Sequence, residues 1–83
     1  KGYFVAEGEG EVTASGFGEI MITLYDGTIW FDENCELLNR QGNFWHLVSY
    51  GGEFSADGEG YAMLQGEGTI TYYGKGFKFY YQD

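Results

Sequence analysis

The sequence has no proline, one cysteine, one histidine, only four basic residues, and no apolar run that approaches 18 residues. Each scarcity removes a class of reading. A lone Cys35 cannot close an internal disulfide and does not supply a structural metal cluster, so a reducing, cytoplasmic setting is expected. His46 lies between Trp45 and Leu47 without the local signature of a nucleophile–base pair, and Cys35 has none either; both are read as structural, and no catalytic residue is assigned. Four bases among thirteen acids cannot neutralise a phosphate backbone, which argues against direct nucleic-acid binding and against an anionic membrane surface. The hydropathy contains no transmembrane helix, and no secretory or lipidation signal is visible. The chain opens on Lys1 rather than Met, which allows for an upstream segment.

What the sequence does contain is glycine, aromatics and carboxylates. Fifteen glycines, seven Phe, eight Tyr and two Trp, with many Thr and Ile, read as strands joined by glycine turns. A core this small must be supplied largely by aromatic rings, each burying on the order of 150–250 Å². The formal charge of −9 favours basic proteins or cations as partners.

Much of the chain divides into blocks of eight: GEGEVTAS and GFGEIMIT from residue 8, and YGGEFSAD, GEGYAMLQ, GEGTITYY and GKGFKFYY from residue 50. The pattern is Gly-x-Gly-x-h-x-h-x, and strand side chains alternate faces with period two. The fifth slot holds Phe4, Val12, Ile20, Phe54, Ala62 and Ile70, and the seventh Ala6, Ala14, Ile22, Ala56, Leu64 and Tyr72. One face is therefore apolar. The glycines share its parity, where a missing side chain lets neighbouring backbone approach or the strand bend. The acids fall on the opposite parity: Glu7, Glu9, Glu11, Glu19, Glu53, Asp57, Glu59 and Glu67 point to solvent.

At an offset of fifty, residues 1–22 match residues 51–72 at nine positions, among them Gly8, Glu9, Gly10, Gly16 and Gly18, which argues for internal duplication. The expected fold is all-β, a small antiparallel β-sandwich or barrel built from a duplicated Gly-x-Gly octad. The expected organisation is one β domain over residues 1–83, with repeat halves at about 1–32 and 51–81 and a connecting hairpin or loop at 33–50.

Three local features are less regular. Asp26-Gly27, between alternating apolar residues, predicts a two-residue hairpin turn that pairs Leu24 with Ile29 and Ile22 with Phe31. Residues 33–40 suit either a short helix capped by Asp32 or strands at 36–38 and 44–50 around the turn NRQG, and the strand reading is preferred. The last block places Lys78 inward and Phe77 and Phe79 outward, so either a bulge at Gly74–Gly76 restores the register or those rings await a partner.

No cofactor motif survives inspection. GEGEVT lacks the third glycine and following helix of a dinucleotide fingerprint, and its glutamates would repel a pyrophosphate. A calcium β-roll has period nine and a recurrent aspartate, whereas the period here is eight. No metal ligand set is assigned.

GEGEV followed by GFGEI, then LYDGTIWFDE with Leu37-Leu38, EFSADGEG and GEGTI, resemble the altered-inheritance-of-mitochondria family, grouped with the TRAP-like β-folds, over about three quarters of the chain. The resemblance implies a β-sandwich or barrel without enzymatic activity that works through assembly or interaction.

The expected function is thus non-enzymatic protein–protein interaction. The candidate acidic face comprises Glu7, Glu9, Glu11, Glu19, Asp57, Glu59 and Glu67, and the candidate aromatic edge comprises Tyr73, Phe77, Phe79 and Tyr81. The acidic face suits an inhibitor or decoy of a basic, nucleic-acid-handling protein. The aromatic edge suits self-assembly into a homo-oligomer, and a small-ligand-binding barrel is the third reading.

Overall fold

Strands usually run for five or six residues, whereas two strands here run for 30 and 39. The computed structural model describes the backbone of residues 2–82 and the side chains of residues 2–75. β1 (Gly2–Phe31), β2 (Cys35–Gln41) and β3 (Phe44–Gln82) form one antiparallel sheet in the order β1-β3-β2. The fold is all-β.

The length of β1 and β3 is explained by their pairing, because β1 uses both of its edges against β3. Phe4 pairs with Leu64 and with Tyr80, Val12 with Ala56 and with Tyr72, and Gly16 with Gly52 and with Gly68. The two partners are sixteen apart, two octads, for residues 2–16, and seventeen apart for residues 17–23, where β3 has one extra residue at the Tyr50–Gly52 corner. The β1/β3 ribbon is therefore wound on itself, one turn per two octads, and each octad crosses one layer of a flattened coil. One layer contains segments 76–82, 2–8, 60–66, 18–24, 44–50 and 35–41 in that order; the other contains 68–74, 10–16, 52–58 and 26–31. The Cα extents, 27 × 26 × 16 Å, fit two sheets packed about 10 Å apart.

The strands change layer along two ridges. The first joins residues 74–76, 8–10, 58–60 and 25–27, and the second joins 66–68, 16–18, 50–52 and 32–34. Glycine is required where adjacent corners touch: a Cβ on Gly58 would overlap the Asp26 carbonyl oxygen and lie 2.6 Å from the Gly27 Cα, at a φ of +142°. On the second ridge two side chains do the fastening. The buried Ser49 hydroxyl donates to the Gly16 carbonyl at 2.6 Å and accepts from the Gly52 amide at 3.0 Å. Asp32 accepts from the amides of Asn34 and Glu53 at 3.0 and 3.1 Å, closing the one corner of that ridge that has no glycine.

The octad parity holds. Phe4, Ala6, Ile20, Ile22, Leu47, Ala62 and Leu64 of the first layer pack against Val12, Phe54 and Ala56 of the second, with Leu24, Ile29, Phe31, Ile70 and Tyr72 at the margin. The Phe4 and Tyr72 rings, one from each layer, meet at 6.1 Å between centroids. Glu9, Glu11, Glu19, Glu59 and Glu67 are all exposed.

Two local expectations are corrected and a third is met. Asp26-Gly27 is not a hairpin turn: β1 runs through it, Ile22 pairs with Trp45 and Ala62, and Phe31 pairs with Phe54. A type I′ turn needs positive φ at both central residues, and Asp26 does not adopt one. The ladder instead skips Tyr25, and this skip moves the inward set from even positions to Ile29 and Phe31. Of the two readings of residues 33–50 the strand one holds: β2 and β3 flank a turn at Gly42-Asn43, with Gly42 at φ +57° and Gln41 paired with Phe44. No register shift occurs between Gly74 and Gln82, so the ladder carries no bulge there, and Phe77 and Phe79 pair with Glu7 and Val5.

Candidate functional site: an acidic ridge

On the first ridge each crossing strand contributes one polar residue beside its corner glycines. The ladder aligns these residues in a single cross-strand row, Lys75–Glu9–Glu59–Asp26. Directly opposed residues have Cβ atoms about 4.5–5.5 Å apart, so Glu9 stands beside Glu59 and Glu59 beside Asp26 at close quarters. The rows on either side are mostly glycine: Gly74, Gly10, Gly58 and Gly27 toward one layer, Gly76, Gly8 and Gly60 toward the other. The carboxylates therefore rise from a strip of bare backbone. One row further out, Glu11 faces Asp57 on the second layer, and Glu7 faces Tyr61 on the first.

Like charges placed directly opposite across a ladder destabilise it, and this ridge contains three such contacts in Glu9–Glu59, Glu59–Asp26 and Glu11–Asp57. No ion pair among the described residues closes on these contacts, and the one base in the row, Lys75, stands at its end beyond Glu9. The one contact between a basic side chain and a carboxylate among the described residues is the hydrogen bond of His46 Nε2 to Glu19 Oε2 at 3.1 Å, on the outer surface of the first layer. The ridge thus concentrates negative potential outward, which is where basic groups are attracted.

Five of the seven acids expected to form a face meet here: Glu7, Glu9, Glu11, Asp57 and Glu59. The other two do not. Glu19 is held by His46, and Glu67 lies on the second ridge opposite Phe17, which is 63% exposed. Sequence reasoning missed Asp26, because Asp-Gly was assigned to a hairpin; its place one residue before a corner glycine is the signal that could have found it. The aromatic edge is divided between layers. Tyr73, 69% exposed, faces Glu11 on the second layer, whereas positions 77, 79 and 81 pair with Glu7, Val5 and Tyr3 on the first. The side chains of Phe77, Phe79 and Tyr81 lie outside the described residues.

Among the described residues, hollows of about 50 and 30 Å³ lie between the layers near the ridges. Each has room for a water molecule or two, against the roughly 300–1,000 Å³ of a typical ligand pocket. Among the described residues no three His, Cys, Asp or Glu side chains converge to hold a metal ion. No protein-family model, characterised protein or solved structure matches the chain.

Proposed function

We propose that this protein is a non-enzymatic binding module whose acidic ridge docks into a basic groove of a protein partner, such as one that handles nucleic acid. The observation that supports the reading is the row Glu9–Glu59–Asp26, three carboxylates in succession with a single base, Lys75, at one end. Acids kept only for solubility gain nothing from being opposed across a ladder, since any outward position serves that purpose at lower cost. A row of carboxylates on bare backbone instead offers a basic partner unobstructed access to closely spaced negative charge. The electrostatic contribution is chiefly to encounter rate and specificity.

The test uses an arginine-rich peptide as probe and two double variants of equal net charge. Glu9→Gln with Glu59→Gln removes charge from the ridge; Glu33→Gln with Glu36→Gln removes the same charge elsewhere. The ridge variant is expected to bind more weakly and with a shallower salt dependence, while the control stays near wild type. Equal losses in both variants would mean that net charge alone is felt and that the ridge is no site.

A further inference from the structure

The two outer faces of the flattened coil obey the same alternation but have opposite chemistry. On the second layer the middle row reads Thr71–Thr13–Ser55–Trp30, with Thr69, Ser15 and Glu53 beside it, so that the face is hydroxyl-rich and polar except for Trp30 on its edge strand. That is an ordinary wetted face for an antiparallel sheet. The first layer departs from it. Its middle cross-strand row reads Val5–Met63–Met21–His46, and Val48 and Phe44 flank His46 on the same strand. These side chains face away from the core, yet Val5 is only 9% exposed, as shielded as Cys35 in the interior, and the others are half-buried. The layer is apolar on both sides.

From this we infer that the outer face of the first layer is a self-association surface, which a second copy of the chain covers face to face about a two-fold axis. Area and charge both favour a second copy as the occupant. The slab spans 27 × 26 Å between its outermost Cα atoms, about 700 Å² in all, so a contact that covers the whole broad face approaches the roughly 800 Å² per partner that a stable interface buries. A two-fold interface must be self-complementary, and the carboxylate nearest the centre of this face, Glu19, is hydrogen-bonded to His46 within the chain, while Glu36, opposite Val48, lies out toward the β2 edge. The outward acids of the second layer lie across a slab 16 Å thick, more than the Debye length of about 8 Å at physiological ionic strength. Two chains of charge −9 can therefore stack on this face with much of their charge held apart.

The consequence has a distinctive sign. Association through an apolar face between like-charged copies strengthens as salt rises, whereas docking of a basic partner on the acidic ridge weakens. The experiment is sedimentation equilibrium of the full chain from micromolar to millimolar concentration, at low and high salt. Wild type is expected to form a dimer that tightens with salt. Met21→Glu and Met63→Glu, each placing a charge in the middle row, are expected to weaken it at least tenfold, with Thr13→Glu on the other layer as the neutral control. Met21→Gln and Met63→Gln, checked by circular dichroism for native folding, serve if the acidic variants do not fold, and are expected to weaken the dimer in the same direction. A monomer at all concentrations overturns the inference. So does a dimer or higher assembly that the Met21 and Met63 substitutions leave unchanged, since that would place the contact on the strand edge or elsewhere. Glu9→Gln with Glu59→Gln should leave the dimer intact, so failure here and failure of the ridge reading are read separately.

Discussion

Three glycines separate the two costs that the winding imposes on its corners. Gly58 has a φ of +142° and adjoining backbone where a Cβ would go; Gly60 meets the Thr23 carbonyl oxygen in the same way but has no positive φ; Gly42 has a φ of +57° with nothing within 4 Å. Alanine at Gly42 costs only the left-handed backbone, roughly 1–2 kcal/mol, which outweighs what it recovers by stiffening the unfolded chain. It should be mildly destabilising, by about 1 kcal/mol. Alanine at Gly60 must push two strands apart, at about 1–3 kcal/mol. Alanine at Gly58 carries that overlap plus a strained backbone worth about 1–3 kcal/mol, for a net loss of roughly 2–5 kcal/mol. A chain of this size has on the order of 4–12 kcal/mol in total, and melting falls by about 4–8 °C per kcal/mol. Gly58→Ala is thus expected to lower the melting temperature by roughly 10–30 °C, Gly60→Ala by less, and Gly42→Ala by about 4–8 °C. Thermal melts followed by far-UV circular dichroism, with urea midpoints as a second measure, read the order directly. Gly58→Ala melting together with Gly42→Ala would refute the close approach of strands at the first ridge.

Asp32→Ala leaves the Asn34 and Glu53 amides to water and should cost about 1–2 kcal/mol, with Asp32→Asn intermediate because one acceptor oxygen remains; urea unfolding with an unchanged m-value would confirm a local clasp. Cys35 is buried, its thiol directed at the Glu53 carbonyl 3.5 Å away. Its labelling by a thiol reagent should be slow in the native protein and speed up across the urea transition; rapid native labelling would show that the 32–35 corner opens on its own. Glu9→Gln with Glu59→Gln should melt slightly above wild type at low salt, and the gain should vanish at high salt if it comes from relieved repulsion.

The parity of the core was legible because eight is an even number: a strand that turns a corner every octad returns with the same side inward, so Phe4, Val12 and Ile20 announce one face without knowledge of their partners. The partners themselves were not legible. Pairing Phe4 with both Leu64 and Tyr80 depends on the winding, a non-local property that no window of eight residues contains. For the same reason the alternation showed Glu9 and Glu59 to be outward but not that they stand side by side. Asp26-Gly27 failed in the opposite direction, since its local chemistry favours a hairpin and the long-range ladder overrides it. Val5, Met21 and Met63 occupy slots the pattern assigns to solvent, and the octad gave no reason to examine an apolar residue there.

A ribbon wound with sixteen residues to the turn has a length that comes in steps. Eight residues added to one strand alone would leave every later segment in the wrong layer, whereas sixteen added to each strand would thread one more full turn and leave the existing contacts as they were. The protein is in this sense a short piece of a screw whose pitch is set by glycine spacing. Each added turn would also lengthen the crest of charge by two positions, so the reach of the acidic ridge and the number of octads are a single variable.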